Sequence, residues 1–120
     1  MAKIRLLVVG AGGHGRSVAE AAELSGQFEV VGFLDDSLPA VEPVLGVPVL
    51  GPVASMAHLL TAADQAIVAI GNNAIREKRI QQLAATGFAL ATVVHPRAIV
   101  SSSAVLSEGS AVMSGAISGY

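Results

Sequence analysis

Cysteine and tryptophan are absent from this sequence of 120 residues, and aromatic residues make up only 3% of it. Without cysteine the chain has no disulfide framework, no thiolate metal site and no thiol nucleophile. With so few aromatic side chains, the core must be built from Val, Ile, Leu and Ala, which favours a buried parallel sheet. Because 52% of the residues are hydrophobic and 13% are charged, the composition excludes a disordered chain.

Long apolar runs and clustered positive charge are also missing. The longest runs, residues 6–9 and 66–70, are far shorter than the roughly 20 residues that a membrane-spanning helix needs. Seven Lys and Arg against nine Asp and Glu give a formal charge of −2, without the basic stretch that binds a nucleic-acid backbone. The N-terminus carries no signal-peptide pattern. We therefore expect a cytoplasmic protein that binds neither nucleic acid nor a membrane.

Short apolar segments alternate with helical periodicity over residues 4–94. Strands are predicted at residues 4–9, 29–34, 66–70 and 88–94, and helices at residues 16–24, 73–86 and from 52 to about 60. Residues 46–51 add a short extended piece, which Pro48 confines to a sheet edge. The alternation predicts an α/β fold with a parallel sheet, right-handed crossovers and flanking helices.

After His95 and Pro96 the composition changes to Ala, Ser, Val and Gly, without a helical pattern. Small residues recur at positions 98, 104, 110 and 116, each followed by an aliphatic residue or alanine. A period of six is typical of a β-helix built from hexapeptide repeats; a flexible Ser/Ala/Gly-rich tail is the less favoured alternative. We expect one domain at residues 1–94. Residues 95–120 are then a junction and a first β-helix coil, whose neighbouring coils lie beyond residue 120.

The sequence Gly10-Ala-Gly-Gly-His-Gly15 fits the pattern G-x-G-x-x-G between a predicted strand and a predicted helix. Gly10 permits the sharp turn, Gly12 lets phosphates approach the backbone, and Gly15 lets the helix pack on the strand. The helix N-terminus offers free N–H groups to a phosphate. His14 either bonds to local backbone or contacts the ligand, and its place in the loop favours the ligand.

Polar residues follow the second and third predicted strands at the same sheet edge. Asp35 stands twenty residues after Gly15, the offset at which dinucleotide-binding folds place a ribose-binding acid. Asp36 fits a turn or a helix cap as well as it fits binding. After Gly71, Asn73 is predicted to cap the next helix, which leaves Asn72 to present its amide to a ligand.

The remaining charged and titratable residues are less specific. Arg76 in the first helical turn opposes the helix dipole, which a nearby anion would explain; a solvated face with residues 77–79 is the favoured interpretation. His58 is predicted to be partly buried in a helix, and His95 to lie in a turn. Three scattered histidines lack metal-ligand spacing, so we expect no metal site.

Four segments together, residues 9–16, 32–36, 70–76 and 94–100, resemble the bacterial sugar acyltransferase family. This family includes sialic acid O-acetyltransferase-like proteins and the UDP-N-acetylbacillosamine-pathway and perosamine N-acetyltransferases. The resemblance covers essentially the whole chain in order. It implies a small Rossmann-like domain that binds a nucleotide-linked amino sugar. A left-handed β-helix would follow, which trimerises and binds the co-substrate acetyl-CoA between subunits.

The resemblance also implies a binding site for a UDP-sugar. The glycine loop with His14 would line the diphosphate pocket, the two aspartates would flank the uridine, and the polar residues after the third strand would close the other side. The candidate residues are Gly10, Gly12, Gly13, His14, Gly15, Asp35, Asp36, Gly71, Asn72, Asn73 and Arg76. The family's catalytic histidine, a general base, belongs to later β-helix coils. We therefore expect no catalytic residue and no acetyltransferase activity within residues 1–120.

Two other functions stay open. An NAD(P)-binding domain of an oxidoreductase would explain the glycine loop and Asp35. A full dinucleotide site, however, uses two mononucleotide-binding halves, and only four good strands precede the repeat. A non-catalytic nucleotide-sensing module differs from the acetyltransferase mainly in whether further coils carry catalytic residues. The favoured interpretation is UDP-amino-sugar acetylation in surface glycan biosynthesis by a homotrimeric full-length protein.

Overall fold

The computed structural model of the chain describes residues 2–37 and 43–94, followed by short strands at residues 99–100, 111–112 and 117–118. Five strands form one parallel sheet in the order β3-β2-β1-β4-β5. Their bounds are β1 Ile4–Val9, β2 Phe28–Leu34, β3 Val49–Gly51, β4 Gln65–Val68 and β5 Ala89–Leu90. This confirms the predicted parallel sheet.

Helices cover both faces of the sheet. The helix α1, Gly13–Leu24, packs on one face, while a 3₁₀ helix, Val53–Leu59, and the helix α2, Asn73–Thr86, pack on the other. Four consecutive residues of β1, from Leu6 to Val9, are fully buried and alternate between the two cores. This is why the strand is a continuous apolar run instead of an alternating one.

Several predicted bounds agree with the structure and others differ for local reasons. The strand β1 and the helix α2 have the predicted bounds, and the edge strand expected within residues 46–51 is β3. The helix α1 begins three residues earlier than predicted, at Gly13, because the Arg16 N–H already bonds to the carbonyl of Gly12. The segment after Pro52 is helical as expected, but it is a 3₁₀ helix.

The predicted strand at residues 88–94 is wrong as a single element. Its first part, β5, pairs with β4, and the last ladder bond is donated by Ala91 to Ala66. The second part, β6 (Val93–Val94), pairs with a different strand, β8 (Ala111–Val112). The side chain of Val93 is nevertheless buried in the core beneath α1. The backbone therefore leaves the sheet at this point, although the side chain of Val93 is still part of the core.

Two parallel pairings join residues that lie 18 positions apart. Val93 pairs with Ala111, and Ile99 of β7 (Ile99–Val100) pairs with Ile117 of β9 (Ile117–Ser118). The spacing is three times the six-residue period of the sequence. His95 and most of the predicted repeat lie outside the described residues. No helix in the described ranges is long and apolar enough to cross a membrane.

Candidate functional site

The candidate site lies at the carboxyl edge of the sheet, between β1 and β4. At this point the chain order reverses: β1 is followed by α1 on one face, and β4 is followed by α2 on the other. Ligands of open α/β sheets bind where the strand order reverses in this way. A cleft of about 290 Å³ opens there, lined by Gly10, Leu34, Asp35, Asp36, Ser37, Val53, Ile70, Ile75 and Arg79.

The glycines of the loop fall into two groups according to what surrounds them. Gly10 has a φ of +110°, and a Cβ there would lie 2.6 Å from the carbonyl oxygen of Ala69. A Cβ at Gly15 would overlap the carbonyl oxygen of Gly10. By contrast, Gly12 and Gly13 are exposed, and a Cβ at either would meet no atom within 4 Å. The fold thus requires the outer glycines, while the inner two leave open space beside the cleft.

The side chain of Asp35 connects the glycine loop to the end of β2 through hydrogen bonds. Its Oδ2 accepts a hydrogen bond from the N–H of Ala11 at 2.8 Å. Its Oδ1 accepts from the N–H of Ser37 at 2.8 Å and from its hydroxyl at 2.7 Å. Both carboxylate oxygens are therefore engaged within the protein, and Asp35 fixes the geometry of the loop. Its predicted contact with a ribose stays a prediction.

Replacing Asp35 with Asn is expected to lower the free energy of unfolding by about 1–3 kcal/mol. The variant has one carbonyl oxygen, so its amide nitrogen must face one of the N–H groups of Ala11 or Ser37. Urea denaturation would measure the change. Glu20→Gln, which makes the same carboxylate-to-amide change at an exposed position of α1, is the matched control and should stay close to the wild type. Equal stability of Asp35→Asn and the wild type would contradict the bridging role.

Asp36 and Arg79, which are 43 positions apart in the sequence, contact each other at the cleft. The Oδ1 of Asp36 accepts from the N–H of Val53, the first residue of the 3₁₀ helix, at 2.8 Å. Its Oδ2 lies 3.3 Å from Nη2 of Arg79, whose side chain is only 23% exposed. The prediction that residues 77–79 form a solvated face is therefore wrong for Arg79, because the turn of α2 directs this residue toward Asp36.

The capping role predicted for Asn73 belongs to its neighbour. Asn72, not Asn73, caps α2: its Oδ1 accepts from the N–H of Ile75 at 3.0 Å. Asn73 is the first helical residue, and its Oδ1 accepts from Nη2 of Arg76 at 2.7 Å. Gly71 is exposed, with open space around it. These four candidates do not line the cleft but flank Ile70 and Ile75, which do.

The structure thus brings together Gly10, Asp35 and Asp36 in the cleft. Of the other loop candidates, which do not line it, Gly12, Gly13 and His14 are exposed and Gly15 is buried. The sequence interpretation missed a second set of lining residues: Leu34, Ser37, Val53, Ile70, Ile75 and Arg79. A usable signal existed for one of them. Arg79 follows Ile75 by four positions and so lies on the same face of the helix.

The histidines do not converge in the described part of the chain. His14 is exposed in the first turn of α1, and His58 is exposed on the 3₁₀ helix, so its predicted partial burial is wrong. Within the described ranges, no group of three or more His, Asp or Glu residues is arranged to hold a metal ion.

The strand order, the glycine loop and the cleft at the reversal point together define a Rossmann-like α/β domain. Residues 5–83 match the family described as the PglD N-terminal domain, and the chain belongs to this family. A UDP-N-acetylbacillosamine N-acetyltransferase of Bacillus subtilis (strain 168) is 32% identical over 108 residues, which are 88% of this chain and 50% of the relative.

Solved structures show the same similarity. The acetyltransferase domain of PglB from Neisseria gonorrhoeae FA1090, in complex with acetyl coenzyme A, superimposes with a TM-score of 0.85 at 40% identity; the match covers 97% of this chain and 56% of that one. PerB from Caulobacter crescentus, in complex with CoA and GDP-perosamine, gives 0.83 at 35% identity over 93% and 52%. The chain spans about half the length of these relatives.

A more distant likeness concerns the fold alone. RSP, a Rex-family repressor, superimposes with a TM-score of 0.63 at 16% identity, covering 92% of this chain. The shared element is the parallel sheet with its flanking helices, which proteins of different function use.

Proposed function

We propose that this chain is the nucleotide-sugar-binding N-terminal part of an acetyl-CoA-dependent sugar N-acetyltransferase that acts on a UDP-linked amino sugar. The observation that carries the proposal is the open surface at Gly12 and Gly13, beside a cleft at the carboxyl edge of the sheet. The family membership and the names of the relatives support the same reaction class.

The start of α1 suits a diphosphate. Its N-cap residue, Gly12, has no side chain to accept a hydrogen bond, and the first turn contains no acidic residue. The first N–H groups of the helix have no partner within the helix, so they are available to an anion that approaches over the open glycines. His14, which is exposed in the same turn, is proposed to contact this anion.

In the proposed reaction, the sugar amine attacks the thioester carbonyl of acetyl-CoA. An amide bond forms, the bond from carbonyl carbon to sulfur breaks, and a general base takes the proton of the amine. The contribution of residues 1–94 is to hold the nucleotide, so that the amine is presented in a fixed orientation. The resemblance assigns the general base and the acetyl-CoA site to the β-helix, and we assign no catalytic residue to the described residues.

We further propose that residues 95–120 open a left-handed β-helix of hexapeptide repeats, and that the full-length protein is a cytoplasmic homotrimer in surface glycan biosynthesis. The two parallel pairings at a spacing of 18 residues support this, because three six-residue units make one coil of such a helix. The division of the chain near residue 94 agrees with the change of pairing partner at β6.

The oxidoreductase alternative is less well supported. In a dinucleotide site the acid after the second strand binds the ribose hydroxyls. Here the carboxylate of Asp35 is engaged by Ala11 and Ser37. The sheet also has five strands, whereas two complete mononucleotide-binding halves give six. The strand count favours a mononucleotide ligand, whereas the contacts of Asp35 bear equally on the ribose of either ligand.

Calorimetric titration of the chain with UDP, UDP-N-acetylglucosamine and NADH tests this proposal. We expect the two uridine nucleotides to bind more tightly than NADH by about tenfold or more, a difference of about 1.4 kcal/mol. Tighter binding of NADH would overturn the proposal and favour the oxidoreductase.

A further inference from the structure

Only one residue separates the last hydrogen bond of the sheet from the first pairing outside it. Ala91 still belongs to the sheet, since its N–H donates to the carbonyl of Ala66 at 2.9 Å. Val93, two positions later, already pairs with Ala111 of β8. Both Ala91 and Val93 are fully buried, and Thr92 between them is half-buried. Boundaries between domains usually fall in exposed and flexible linkers, and residues 91–93 do not form one.

Val93 belongs to two parts of the structure. Its backbone pairs with β8, whereas its side chain lies in the core that α1 shares with β1 and β2. Val18, Ala19 and Ala22 of α1 belong to the same core, and α1 packs against β6. Because protein cores are close-packed, a buried side chain cannot move without displacing its neighbours. The strand β6 therefore keeps its direction relative to α1 as long as Val93 stays in the core.

The helix α1 connects this core to the candidate site. It begins at Gly13, within the glycine loop, and its buried face covers the core that contains Val93. The same helix thus has the proposed diphosphate site at its N-terminus and β6 beneath it. Since β8 pairs with β6, the orientation of β8 relative to the glycine loop is fixed through the side chain of Val93.

We propose that Val93 is a positioning residue, which fixes the orientation of the first β-helix coil relative to the nucleotide-binding domain. This orientation is then set during folding and does not depend on a bound nucleotide. It matters for an amine that attacks a thioester bound elsewhere, because a misplacement of about 1 Å can lower a rate about a hundredfold. The role in the reaction rests on the proposed function, whereas the rigid connection rests on the burial and pairing of Val93 alone.

Residual dipolar couplings of the backbone N–H groups in the 120-residue chain test the connection. They report the orientation and the order of each N–H bond in one molecular frame. The couplings of β7, β8 and β9 should fit the alignment tensor determined from β1 and β4. The degree of order of these coil strands should be about 0.8 or more of that of the sheet, as in a rigid backbone. Saturation with UDP should leave this ratio unchanged. A lower ratio in the wild type, or one that UDP changes, would overturn the inference.

Val93→Ala should lower the ratio to about half or less, because it removes the two methyl groups that hold β6 in the core. Val30→Ala is the matched control, since it shortens the same side chain in the same core at a residue of β2 that pairs with β1. This control should lower the melting temperature by a similar amount and keep the wild-type ratio. The comparison therefore separates a loss of orientation from a loss of stability.

Val93→Thr provides a second variant if Val93→Ala does not fold. It keeps the branched shape of the side chain and replaces one methyl group with a hydroxyl, so it should lower the ratio by a smaller amount. If the variant of Val93 that folds keeps the wild-type ratio, the inference is overturned. The same holds if Val30→Ala lowers the ratio as much as Val93→Ala does.

Titration with UDP separates this inference from the proposed function. Val93 does not line the cleft, so Val93→Ala should keep the wild-type affinity for UDP within about threefold. A larger loss would mean that the substitution disturbs the nucleotide site itself, and it would overturn a role confined to orientation. A wild-type chain that does not bind UDP would overturn the proposed function, while the ratio of the degrees of order would still decide whether the connection is rigid.

Discussion

Gly12→Val is expected to lower the affinity for UDP about a hundredfold or more, which corresponds to about 3 kcal/mol. A branched side chain at this position would fill the space through which the phosphates approach the N-terminus of α1. The fold should be unaffected, because a Cβ at Gly12 meets no atom within 4 Å and the backbone φ of −77° is open to any residue. Titration calorimetry measures the affinity, and thermal unfolding measures the fold.

Ala84→Val serves as the control for this variant. It places the same side chain on an exposed position of α2 that does not line the cleft. Its affinity for UDP should equal that of the wild type. If Gly12→Val folds and binds UDP as tightly as the wild type, the glycine loop is not part of the nucleotide site.

Gly15→Ala should have the opposite effect, a large loss of stability. Its Cβ would overlap the carbonyl oxygen of Gly10, and this is backbone that cannot rotate away as a flexible side chain would. We expect a loss of about 3 kcal/mol or more, at the upper end of what overpacking costs. That is a large part of the 5–15 kcal/mol typical of a folded domain. The melting temperature should fall by at least about 10 °C.

Gly12→Ala is the matched control for the second variant, because it adds the same methyl group three positions away with no neighbour within 4 Å. Thermal unfolding of the two variants should therefore differ clearly, with Gly12→Ala close to the wild type. Equal melting temperatures would mean that α1 can shift away from β1 without loss, and that Gly15 does not set their distance.

Where a segment encodes its own structure, the sequence was sufficient to predict it. The continuous apolar run of β1 can be buried only between two layers, and Gly87, in the left-handed conformation with a φ of +115°, ends α2 where predicted. The outer glycines of the loop have the roles that the motif predicts, since both approach backbone too closely for a side chain.

Where an element depends on a distant partner, the sequence was not sufficient. The apolar run at residues 88–94 does not indicate that its first half pairs with β4 and its second half with β8. Likewise, the local sequence does not distinguish Arg79 from the charged residues next to it. Its contact with Asp36 depends on how α2 packs over the sheet. The predicted cap of α2 and the observed one are adjacent asparagines, and capping propensity does not distinguish between them.

The bridge from Asp35 to Ala11 has a consequence for how a ligand is received. A glycine-rich loop would ordinarily sample many conformations, and fixing the backbone of one residue costs about 1–2 kcal/mol of conformational entropy. In this chain two hydrogen bonds join the start of the loop to the end of β2: the N–H of Gly10 donates to the carbonyl of Leu34, and the N–H of Ala11 donates to Asp35. The loop is therefore ordered during folding, and the proposed nucleotide ligand would not have to supply the free energy for ordering it.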